Sequence, residues 1–152
     1  MRFGPAGYPS AGGKTPEKAL EYTKSLGLDA LEVEFVRGAR ISEERARTIG
    51  ACAKNLDIRL SCHAPYFISF NSESLETIDK SVQWVVDTAK AAHWLGAYLI
   101  VIHAASYGKK PDEALPNVIR GLTESKNRLD DLGIKDVILG VEPWARRGSS
   151  VR

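Results

Sequence analysis

Residues 98–102 read YLIVI, an unbroken apolar run that ends on His103. Apolar residues without alternation mark a strand covered on both faces, as in parallel sheets. Working outward, strands are expected at Ala30–Phe35, Ile58–Cys62 and Val137–Val141, with a shorter one at Met1–Gly4. Amphipathic stretches separate them. Thr15 caps a helix with Pro16 at its first position, Lys18 to Leu26 following and Gly27 ending it. Ser42 starts a second, Glu43 to Asn55, with Ala46, Ile49, Ala53 and Leu56 on one face. A third runs from about Ser74 to Leu95, burying Ile78, Val82, Val85, Ala89 and Ala92. Pro111 opens a fourth, to Leu132, with Val118, Leu122, Ser125 and Leu129 inward.

Five strands and four helices in strict alternation predict an α/β protein with parallel strands and right-handed crossovers. A doubly wound open sheet is complete at this length. A (β/α)8 barrel needs at least about 200 residues and is unfinished here. No GxGxxG or GxxxxGK[ST] turn follows a strand, which removes the commonest reason to prefer a nucleotide-binding open sheet.

Composition bounds the rest. The chain has 152 residues, 43% hydrophobic and 26% charged, which excludes disordered, collagen-like and coiled-coil classes. The net charge of +2, without a basic block, gives no electrostatic pointer to nucleic acid. No apolar run reaches the length of a membrane span, and the N-terminus lacks the apolar core of a secretory signal. Cys52 and Cys62 make no CxxC pair, so they read as reduced thiols, with a cytoplasmic location expected.

Polar residues gather at strand ends: His63, His103 and Glu142. In parallel α/β folds those C-terminal ends share one rim, where ligands bind. Two imidazoles and a carboxylate on one rim are a donor set that zinc favours. Each alone also reads as a rim residue serving a loop hydrogen bond.

Longer strings sharpen this reading. SCHAPYFISFNS (61–72), VIHAASYGKK (101–110), VEFVRG (33–38) and the opening RFGPAGYP resemble the endonuclease IV family, zinc-dependent barrels related to the xylose-isomerase-like sugar enzymes. The archaeal branch is the nearest likeness. The resemblance implies an incomplete (β/α)8 TIM barrel of xylose-isomerase-like type, with five strands and four helices present. It implies a zinc-dependent endonuclease of base-excision repair that hydrolyses DNA 5′ to an abasic site. On it, His63 and His103 are ligands of one zinc, and Glu142 is the catalytic carboxylate bridging that zinc to a second. Tyr66 and Arg37 fall near the DNA. Tyr66 also reads as a loop aromatic packed on the helix below, and Arg37 as a solvated or ion-paired loop residue.

Two departures stand out. Ala104 and Ala105 replace the family's Pro-Gly after the second His, although Tyr107, Gly108 and Lys109 match again. After Glu142 the family carries a string like ETxGKxSQFGT, whereas this chain has PWARRGSSVR. With one choice of codons, restoring a single A after Glu142 turns EPWARRGSSVR into ETMGKKGQFGTI. Residues 1–142 are therefore expected to be the N-terminal part of a barrel, and 143–152 a frameshifted tail. Three further βα units with the remaining Asp, His and Glu ligands are missing, and His93, beside Trp94 in a helix, does not replace them. Impaired activity is expected, with self-association through open sheet edges and an apolar inward wall. The alternatives are a sugar isomerase or epimerase of the same superfamily, and an inactive metal-binding half-barrel.

Overall fold

The computed structural model describes residues 1–104 and 111–143, the side chain of Pro111 excepted. The stretch Ala105 to Lys110, with Tyr107, Gly108 and Lys109, and the tail beyond Pro143 lie outside the described residues. Helices α1 (Pro16–Ser25), α2 (Glu43–Asn55), α3 (Leu75–Leu95) and α4 (Pro111–Asp131) alternate with strands β1 (Ala30–Glu34), β2 (Arg59–His63), β3 (Leu99–Ile102) and β4 (Ile138–Val141). The strands form one parallel sheet in sequential order, the order of a barrel wall.

The helix starts follow from capping chemistry. Thr15, Ser42 and Ser74 each accept a hydrogen bond from the backbone N–H three residues on, satisfying a donor the helix leaves open. Gly96 closes α3 in the left-handed conformation at φ 67°, which glycine adopts without a Cβ penalty.

Met1–Gly4 is not a strand, against the expectation of five. Its neighbours still run beside β1. Asp29 and Ala30 N–H donate to Phe3 O, Glu32 N–H to Pro5 O, and Gly7 N–H to Glu32 O. Ala6 and Glu32 form an isolated parallel bridge. Pro5 has no N–H to give a ladder. At Gly4 a Cβ would overlap the Ala30 carbonyl, so the residue without one lets this segment lie close against β1.

Strand parity sorts the side chains. Leu31, Val33, Leu60, Cys62, Ile100 and Ile102 lie beneath the helices in one core with Ala46, Ile49, Val82, Val85 and Leu129. Register pairs Leu31 with Leu60, Val33 with Cys62, and Cys62 with Ile100, so each layer of that face is apolar. The opposite face carries Glu32, Glu34, Arg59, Ser61, Leu99, Val101, Ile138 and Gly140, and the helices leave it uncovered. It is half polar, which corrects the expected apolar inward wall. Val33 and Leu60 are at odd and even positions that both point to the helices, and charged residues take the alternate ones.

Candidate metal centre

The sheet holds His63, His103 and Glu142 level because its ladder continues past the strand ends. Ala64 N–H donates to Val101 O at 2.9 Å and Glu142 N–H to Ile102 O at 3.0 Å. His63 is the last residue of β2, His103 follows β3 and Glu142 follows β4. All three project from the same rim.

Their inner geometry is compatible with holding a metal ion. His63 Nδ1 lies 2.7 Å from Ala64 O, and His103 Nδ1 lies 3.2 Å from Glu142 O. A carbonyl can only accept, so each Nδ1 carries the proton and each Nε2 presents a lone pair. Both lone pairs face one carboxylate: Glu142 Oε2 is 3.9 Å from His63 Nε2 and 3.7 Å from His103 Nε2. One ligand atom from each residue lies within 4.8 Å of the others. Donors held about 2.0–2.2 Å from zinc at tetrahedral angles stand roughly 3.4 Å apart, so small side-chain shifts close this set on an ion. The residues fit a divalent cation.

Tyr66 covers the imidazoles. Its ring centroid is 4.7 Å from that of His63 and 5.3 Å from that of His103, nearly parallel to the latter at 23°. His63 is buried, whereas Glu142 is exposed, so the set is roofed on one side and open on the other. Tyr66 therefore packs on the histidines. Arg37 is exposed in the segment after β1 and is not among the gathered residues. His93 stands apart, in the last turn of α3, 2.8 Å from Asp136.

Cys62 precedes His63 yet points to the helices, and burial pushes its thiol pKa well above the ordinary range. It has no part in the rim. One residue escaped the sequence reading. Glu34 pairs in register with His63 and shares its face of the sheet. The alternation in ALEVE, 30–34, is the signal that marks it.

Residues 20–152 match the family model described as xylose isomerase-like TIM barrel. An uncharacterized protein of Methanocaldococcus jannaschii is 33% identical over 118 residues, 78% of this chain and 42% of that protein. A probable endonuclease 4 of Streptomyces avermitilis is 30% identical over 156 residues, 94% of this chain and 47% of that protein. The crystal structure of endonuclease IV from Thermus thermophilus superimposes with a TM-score of 0.66 at 26% identity, over 99% of this chain and 55% of that one. D-psicose 3-epimerase from Clostridium cellulolyticum superimposes at 0.72 with 18% identity, over 91% and 52%, a likeness of fold alone. The chain spans about half the length of these relatives.

Proposed function

We propose, from the premise that this chain belongs to the xylose isomerase-like TIM barrel family, that it carries one share of a zinc site for phosphodiester hydrolysis at abasic sites in DNA. The carrying observation is the convergence of two Nε2 lone pairs and one carboxylate on a single point. Similarity to an endonuclease 4 across 94% of the chain supports the choice of reaction. His63, His103 and Glu142 hold the ion. Bound zinc supplies Lewis-acid stabilisation of phosphate charge and a water of lowered pKa. Around it, the Ala64 and Glu142 carbonyls fix the ring tautomers, and Tyr66 shields one side from bulk water. Tyr66, with its exposed edge, and Arg37 are the proposed contacts to DNA.

The second reading is an epimerase acting on an uncharged sugar. The near-neutral net charge and the acidic pair Glu32 and Glu34 on the inner face favour it over an anionic polymer. A duplex with a single abasic site separates the two. Zinc-dependent incision 5′ to the lesion, absent in a His63→Ala, His103→Ala double variant, is expected. Interconversion of a ketose with the duplex left intact would replace the nuclease reading by the epimerase one.

A further inference from the structure

At the opposite end of the strands from the metal rim, residues of α2, β2 and α3 line a cavity of about 570 Å³. Its wall includes Arg59, the first residue of β2, whereas His63 is the last, so about 13 Å of strand separates the two places. Strand β2 is paired on both sides, by β1 and β3, so the sheet is whole here. Gly50, Ala51 and Gly96 add little bulk to the wall and leave the space between the helices.

Charge distinguishes this cavity. Arg2, Arg47, Lys54 and Arg59 line it against one carboxylate, Asp57, whereas the whole chain sets 21 basic residues against 19 acidic ones. Arg2 occupies Asp57, its Nη2 donating to Oδ1 at 2.9 Å. Arg47 shares Glu43, one turn back on α2. Among the described residues, neither Lys54 nor Arg59 makes an ion pair, and both are exposed. The Arg59 guanidinium lies 3.8 Å over the Tyr98 ring, a cation–π contact that holds the fork and leaves its N–H groups to other acceptors. Arg47 and Lys54 are seven residues apart, so they share one face of α2 about 10 Å apart along its axis.

We infer that this cavity binds a small phosphorylated molecule whose phosphate groups are held by Arg47, Lys54 and Arg59. Guanidinium and ammonium donors spread along a concave wall match the separated oxygens of such a ligand. A nucleic-acid duplex calls for a broad basic face, and here the cations are gathered in a pocket. The inference stands apart from the metal reading. In barrels the reacting rim is the other end of the strands, so the ligand is bound here and not turned over.

Calorimetric titration of inorganic pyrophosphate into the full chain, dialysed free of metal, tests the inference. One equivalent is expected to bind, with the same affinity in a His63→Ala, His103→Ala variant. Lys54→Gln, Arg59→Gln is expected to weaken binding tenfold or more, with a thermal melt matching wild type. Lys54→Gln alone, an exposed helix position that leaves the Tyr98 contact in place, is expected to weaken it about threefold. Unsaturable binding by wild type, or affinity of the double variant within twofold of it, overturns the assignment. Loss of binding in the histidine variant would place pyrophosphate at the rim and overturn it as well. Duplex DNA that binds through Lys54 and Arg59 while pyrophosphate does not would replace the small ligand by a nucleic acid.

Discussion

The Cβ that Gly50 lacks would lie 2.4 Å from the carbonyl oxygen of Leu95, so α2 and α3 meet at backbone contact. Alanine inside a helix ordinarily gains about 1 kcal/mol over glycine. Here steric overlap with a backbone atom outweighs that gain. Gly50→Ala is expected to destabilise the fold by about 1–3 kcal/mol, read by urea denaturation. A more stable variant would mean that the helices can part without cost.

Zinc is expected to raise the stability of the folded chain. At a free concentration 100 times the dissociation constant, linkage gives about 2.7 kcal/mol. The increase should vanish with a chelator and be absent in His103→Ala. Melting curves with and without zinc measure it, and an equal shift in that variant would assign the ion to another place.

Arg45 on α2 grips the carboxylate of Glu17 on α1 with both guanidinium nitrogens, Nη2 to Oε2 at 2.8 Å. This hydrogen-bonded pairing holds the Glu17 pKa below the ordinary carboxylate range. A depressed folded pKa gives stability that is present above the unfolded value, near 4.3, and lost as pH falls through the folded one. The side chains are 25% and 42% exposed, so solvent screening limits the pair to about 0.5–1 kcal/mol. Glu17→Gln should therefore trail wild type by that amount at neutral pH, with the gap closing below about pH 4. Denaturation at two pH values checks this; a gap that persists in acid contradicts it.

Strand β4 lies at the end of the sheet, with Ile138 59% and Val141 49% exposed. Leu115 and Ile119, one turn apart on α4, are 68% and 56% exposed. Among the described residues no strand pairs with the outer edge of β4, and an unpaired edge beside an apolar flank invites pairing. Concentration-dependent association is expected in light scattering, and Ile138→Lys should reduce it, since a charged residue blunts an edge. A monomer at all concentrations would show that this edge is protected.

The sequence by itself determined the alternation of strands and helices and all four helix starts. Those signals are local: a capping Thr15, Ser42 or Ser74 acts on the next turn, and apolar spacing at Ala46, Ile49 and Ala53 defines a face within one helix. It also placed His63, His103 and Glu142 at strand ends. Met1–Gly4 misled: Pro5, which has no N–H for a ladder, was legible in the sequence, whereas the close contact of Gly4 with the Ala30 carbonyl exists only in the fold. Only the tertiary structure decided that the two imidazoles present Nε2, since the carbonyls of Ala64 and Glu142 that fix the tautomers belong to the folded rim. Register, a relation between strands far apart in the chain, brought Glu34 beside His63, and the fold set the Tyr66 ring 5.3 Å from that of His103. Pattern along a chain reports which face a residue takes; which residue it meets there follows from pairing across it.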